Sequence, residues 1–195
     1  MLMLVGYYPC VHPLSQSMRR IIICSVMVAA LFVRPLGAIT INGFAVDDTA
    51  VPVEHLVRAQ EAKDSISSID EPKWVSVSDC DYLLDEDEVL SVTIDGETRA
   101  YPLRILVWHE IVNDTFGEQG VAITYCALTG SGVAFEAGEN PDGTQRSFGG
   151  SGVLHNSGLL MYDRATESLW SQLKLMGISK DFLEEPLTPP WPPVE

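Results

Sequence analysis

"VLSVTIDGETRAYPLRILVWHEIVND", residues 89–114, decides the fold. Its first half reads as an antiparallel hairpin. "VLSVTI" and "ETRAYPL" flank Asp95-Gly96, a pair that tolerates the positive φ of a two-residue hairpin turn. Pro102 then opens "LRILVWHEIVND", where Ile105, Leu106, Trp108 and Val112 recur at helical spacing. That spacing predicts a helix of about three turns. Outward from this block, Gly117 and Gly120 bracket a turn into an apolar strand, Val121 to Tyr125, that ends on Cys126. A glycine-rich turn (Gly130, Ser131, Gly132) leads to a second apolar run, Val133 to Phe135.

Further along, "EAGENPDGTQ" is a turn centred on Pro-Asp-Gly. Two short strands follow, around Ser147 and over Leu159 to Tyr162, with Gly149, Gly150 and Gly152 expected between them. Upstream, "VPVEHLVRAQ" predicts a short helix, "KDSISSIDEP" a loop closed by Pro72, and "KWVSV" a short strand. "SDCDYLLDEDE" reads as a solvated acidic connector. It lacks the glycine and the terminal glutamate spacing of a calcium loop. "LTPPWPPVE" cannot continue a helix or an inner strand. Short turns between strands, with one central helix, predict a single α+β domain built on a mainly antiparallel sheet.

The chain has 195 residues, 46% hydrophobic and 20% charged, the balance of a globular domain. Residues 1–38 differ from the rest. Arg19 and Arg20 precede a 13-residue apolar run, Ile21 to Val33, and "RPLGA" follows. A membrane span needs about 20 apolar residues. The pattern predicts a secretory signal peptide cleaved after Ala38, with Met18 a suitable natural start, and a secreted or periplasmic product with no stable membrane span. Cleavage there removes three arginines and no acid, which moves the formal charge from −15 to −18. So acidic a domain repels phosphate backbones and excludes nucleic acid as a partner class. Four cysteines fall to two, Cys80 and Cys126, and an exported pair leaves open a disulfide between them.

Three constellations offer chemistry. Cys126, at a strand end beside a glycine turn, is placed for backbone N–H groups to stabilise a thiolate, or for simple packing as a small hydrophobe. On a helix running to Val112, His109 and Asn113 share one face. Glu110 beside them is available as an acid–base or orienting group. This is the H-E-x-x-H zinc pattern with asparagine, a poor ligand, in last place. His155 joins Cys126 and His109 as a Cys-His-His set suited to copper or zinc, with Met161 as a soft fourth contact. A cysteine hydrolase or transferase would use Cys126 as nucleophile, His109 or His155 as base and Asn156 or Glu110 as orienter. "FGGSG" lacks the lysine of a phosphate loop. Asn113-Asp114-Thr115 is a formal glycosylation sequon at an expected helix end.

The succession "DGETRAYPLRILVWHEIVNDTFG", "VAITYCALTGSGVAF", "FGGSGVLHNSGLLMYDRATESLWSQ" resembles the secreted bacterial and archaeal family called "domain of unknown function 3179". The likeness covers residues 66–172, with 39–65 as a weakly patterned lead-in and 173–195 as a divergent, proline-rich, shortened end. The resemblance implies no reaction. It does imply a Thr-Tyr-Cys-Pro-Leu-Cys-Gly pattern in which Tyr125 and Cys126 match, while Ala127 and Thr129 replace the proline and the second cysteine. A two-thiolate site would thus be halved here, with the Thr129 hydroxyl left as a donor to the Cys126 thiolate. Trp108, His109, Glu110, Asn113, Asp114, Asn156, Tyr162, Asp163, Trp170, Ser171 and Gln172 also match, whereas His155 stands where many members carry tyrosine. The expectation carried forward is a metal-binding or thiol-redox domain around Cys126 and His109, with Glu110 as orienter and Tyr125, Thr129 and Asn156 beside it. Its rivals are the Cys/His hydrolase or transferase and a non-catalytic ligand-binding or interaction module with Cys126 merely packed.

Overall fold

The computed structural model describes residues 38–190; the expected signal peptide, Met18 included, lies outside them but for Ala38. Four sheets, all antiparallel, are assembled from twelve strands among the described residues. A short hairpin, β1 (Thr40–Ile41) with β2 (Phe44–Ala45), opens the chain. β3 (Leu56–Arg58) is followed by a long irregular stretch. β4 (Val89–Ile94) and β5 (Glu97–Pro102) form the hairpin read from the sequence, with Asp95 at φ 50 and Gly96 at φ 84. After the helix α1 (Leu103–His109) come β6 (Ile111–Phe116), β7 (Gln119–Cys126) and β8 (Ser131–Glu136), paired in that order. β9 (Phe148–His155), β10 (Gly158–Asp163), β11 (Leu169–Ser171) and β12 (Met176–Gly177) join β3 in a five-stranded sheet of order β12-β11-β10-β9-β3.

Side-chain alternation along these strands builds three apolar layers. Ala122 and Cys126 of β7 point to the layer that also holds Phe135, Phe148, Met161 and Trp170, between the three- and five-stranded sheets. Val121 and Ile123 point the other way, onto Leu106 of α1 and Val92, Ile94 and Tyr101 of the β4–β5 hairpin. On the far face of the five-stranded sheet, Leu160, Tyr162 and Leu169 pack on Phe44, Val46 and Val51. Two-sided burial is why "GLLMYD" reads as an unbroken apolar run: all six residues of β10 are buried. The architecture is therefore largely β with one short helix among the described residues, coarser than the α+β label but consistent with it.

Several local expectations require correction. The helix stops at His109, two turns rather than three. Glu110 turns left-handed at φ 58, and its N–H donates to Leu106 O at 2.7 Å, closing the last turn. The residues beyond are β-branched and strand-forming (Ile111, Val112, Thr115) and run out as β6. His109 and Asn113 therefore never share a helical face. "VPVEHLVRAQ" is a 3-10 turn, Val53–His55, running into β3, and "KWVSV" belongs to no strand. Gly149, Gly150 and Gly152 lie inside β9 rather than in a loop. Their bareness lets residues 59–66 cross that strand. Ala59 and Gln60 N–H groups donate to Gly152 O, and Asp64 N–H to Gly150 O at 2.7 Å. A Cβ on Gly152, which has φ 70, would come within 2.9 Å of Ala62 O. Residues 173–190 fold onto the domain: β12 extends the sheet, and Ile178, Phe182 and Leu187 are buried.

Candidate functional site

Cys126 closes β7 opposite Ser131, across a four-residue turn ending at Gly130, φ 62. Its side chain is 2% exposed and its thiol donates to Ser157 O at 3.6 Å. Asn156 and Ser157, at φ 48 and φ 66, form the tight turn between β9 and β10, so this hairpin tip lies over the sulfur. Thr129 does not serve the thiol. Its hydroxyl pairs with Ser131 Oγ at 2.7 Å, and Ser131 Oγ donates to Gln172 Oε1 at 3.3 Å. The fully buried Gln172 amide donates to Thr124 Oγ1 and Ser131 O, both at 3.1 Å. This chain of polar groups pins β11 to β7 and β8 at the mouth of the turn.

His109 is drawn elsewhere. Its Nδ1 hydrogen-bonds Ser67 O at 2.8 Å. The segment that carries Ser67 runs beside the outer edge of β6, where Ile69 N–H donates to Ile111 O and Asn113 N–H to Ile69 O. β6 therefore lies between that segment and β7. The helix packs on one face of the three-stranded sheet and Cys126 on the other. Glu110 supplies its backbone carbonyl to Tyr125 N–H at 2.8 Å, and burial raises the pKa of its carboxyl group. Tyr125 itself is half-buried on the helix side.

His155 ends β9, its Nε2 lies 3.3 Å from Asn156 Nδ2, and its ring centroid is 6.2 Å from that of His55. Burial, then the nearby Lys174 and His55, lower its pKa. The pairing with His55 follows from the register Leu56↔His155 and was invisible in the sequence, where His55 preceded any clear pattern. Among the described residues no three His, Cys, Asp or Glu side chains converge as metal ligands would. The expected Cys126, His109 and His155 set is thus not gathered, and Met161 is a core side chain. Cys80 and Cys126 are both free, so the disulfide left open by the sequence is not formed.

Other matched residues hold the fold. Asp163 accepts Trp170 Nε1 at 3.1 Å and Thr166 N–H at 2.7 Å. Asp114 accepts Tyr101 OH at 2.6 Å and Arg99 Nη1 at 2.7 Å, and the Tyr101 pKa rises through burial and that bond. Asn113, the sequon residue, sits mid-strand. Its amide donates to Phe148 O at 2.8 Å and to Asp70 Oδ1 at 2.7 Å, and its oxygen accepts Phe148 N–H at 2.8 Å, so the folded domain has no room for a glycan there.

An open concavity lies elsewhere, between β4 and β8. It has a volume of about 270 Å³, with Leu90 and Val92 on one wall, Gly132 to Phe135 on another, and Leu175, Leu187 and Pro189 completing it. Glu136 N–H points out of the three-stranded sheet and donates to Thr188 O at 2.8 Å. By strand alternation Gly132 and Ala134 turn their backbone groups outward too, toward this cleft. Sequence reasoning missed the cleft, because its walls are ordinary apolar strand residues brought together only by packing.

A largely antiparallel β domain with one short helix and a packed thiol is thus on view. The family described as "Protein of unknown function (DUF3179)" matches residues 63–190, and the chain belongs to it. No curated protein and no solved structure matches the chain.

Proposed function

We propose that the domain is a non-catalytic binding module acting outside the cytoplasm, and that its ligand is an extended apolar peptide segment laid along the outer edge of β8. The observation that carries this reading is the apolar cleft whose wall includes the outward backbone groups of Gly132 and Ala134. An added strand gains affinity from main-chain hydrogen bonds and specificity from pockets for alternate side chains. The backbone bond from Glu136 N–H to Thr188 O supports the reading that strand-like pairing suits this edge. The positive start and short apolar run of residues 19–38 support the exported location. A thiol or thiolate-metal function has weaker support, because Cys126 is enclosed and its expected partners face other ways.

The test is selection of binders from a random twelve-residue peptide library on the purified protein, followed by amide exchange of the complex. Binding should protect Gly132 and Ala134 N–H groups, be lost in Leu90→Glu and persist in Cys126→Ser. Selected peptides that leave those two amides exchanging freely, or that need the thiol, would refute the reading.

A further inference from the structure

α1 fully buries a single residue, Leu106. Its outer side carries Arg104, Val107 and Trp108, and Arg104 and Trp108 lie one turn apart on the same face. Trp108 is 77% exposed and Val107 40%. The acidic connector is fastened to this helix. Arg104 Nη1 donates to Tyr82 O and to Asp87 Oδ2, both at 3.1 Å, and Leu103 N–H donates to Glu88 O at 2.9 Å. That fastening brings the backbone of Tyr82, 48% exposed, and, through Asp87 Oδ2, that of Leu84, 63% exposed, to Arg104, one helical turn from Trp108.

Apart from Arg104, which Asp87 engages, the connector beside these apolar groups brings only negative charge. Residues 79–88 contain six acids and no lysine or arginine. Among the described residues Asp81, Asp85, Glu86 and Glu88 make no ion pair, and Arg104 is engaged by Asp87. Scattered exposed apolar residues need no explanation, but a contiguous patch ringed by polar groups marks an interaction surface. Trp and Tyr are the residues that dominate binding at such surfaces.

We propose that this face binds a cationic amphipathic segment of a protein partner. The apolar side of that segment covers Trp108, Tyr82 and Leu84, and its lysines or arginines meet Asp81, Asp85, Glu86 and Glu88. Charge complementarity selects this occupant: an acidic segment or an anionic lipid surface meets like charge here. The surface is distinct from the β8 cleft and does not depend on it.

The experiment titrates the full-length protein with an 18-residue helical peptide of leucine and lysine presenting one apolar face, and with its leucine–glutamate counterpart. Tryptophan emission and calorimetry are read at 50 mM and 500 mM salt. The lysine peptide should bind, with an emission shift that is absent in Trp108→Phe, and binding should weaken at least tenfold at the higher salt. Trp108→Ala, Leu84→Ser and the double variant Asp85→Lys/Glu86→Lys should each weaken it tenfold or more. Glu54→Lys/Glu118→Lys carries the same change in net charge at exposed turns elsewhere and should alter it less than twofold. Unchanged circular dichroism shows that each variant folds. Equal weakening by the remote pair reduces the effect to net charge and overturns the proposal, as does equal affinity for the glutamate peptide. An emission shift on phosphatidylcholine vesicles but not on the lysine peptide replaces the protein partner by a membrane and overturns it as well.

Discussion

The two faces of the β6–β7–β8 sheet carry opposite kinds of residue. On one, the Cys126 thiol is closed in by the β9–β10 turn, and its polar neighbours are tied to one another through Gln172. On the other, the helix leaves an exposed tryptophan, and at the β8 edge a cleft is lined by side chains of no special chemistry. Chemical interest and accessibility are thus separated. A residue that is conspicuous in the sequence can owe its place to packing, while binding surface is made from residues that attract no notice.

The sharpest way to break this contrast is to truncate one tryptophan from each side. Trp170 is fully buried, hydrogen-bonded to Asp163 and stacked against Arg146 at 4.6 Å. Trp170→Ala should cost about 3–5 kcal/mol in urea unfolding. Trp108→Ala should stay within about 0.5 kcal/mol. Comparable losses would mean that the helix face is structural. Next in size, Asn113→Ala strips Phe148 of two backbone partners and should cost about 1–3 kcal/mol, read as a shift in urea midpoint at constant slope.

The thiols give a kinetic version of the same comparison. Cys80 is half-buried in the 3-10 turn region, whereas Cys126 is enclosed. Iodoacetamide at neutral pH should modify Cys80 in the native state and Cys126 only as the domain unfolds. Rapid native labelling of Cys126, located by peptide mapping, would return the thiol to the list of functional groups.

The smallest expected effect concerns Glu110. Burial raises the pKa of its carboxyl, so the folded state holds the proton more tightly than the unfolded chain. Its contribution to stability is complete below the unfolded value of 4.5 and is lost as pH rises through the folded value. Glu110→Gln should therefore melt slightly higher than the parent at pH 7, and the gap should close below about pH 4. A gap that persists at pH 4 would assign the effect to packing.

Much of the local architecture was legible because the backbone itself demanded particular residues. Asp95-Gly96 fixed the β4–β5 turn, and the apolar runs ending at Cys126 and Phe135 marked β7 and β8. The helix end was not legible, because the residue that takes the left-handed conformation is a glutamate rather than a glycine, and Val112 happened to continue the helical period. The glycines of β9 misled for a related reason. They serve the close approach of another segment, which no local pattern records. Of the site, the position of Cys126 at a strand end was readable, but which face it occupies depends on tertiary packing. His109 was lost to Ser67 by an edge contact spanning 42 residues, and His55 met His155 through a register set across the sheet.

That crossing segment has a consequence for the order of events in folding. The hairpins β4–β5, β6–β7 and β9–β10 close over two residues each, whereas Asp64 meets Tyr162 across 98 and Asn113 meets Asp70 across 43. Closing long loops costs more chain entropy, and this strip gains its contacts only after β6 and β9 present their edges. Residues 59–70 therefore act as the last fastener, joining the two sheets from outside once each exists. Substitutions there should leave the folding rate nearly unchanged and speed unfolding instead.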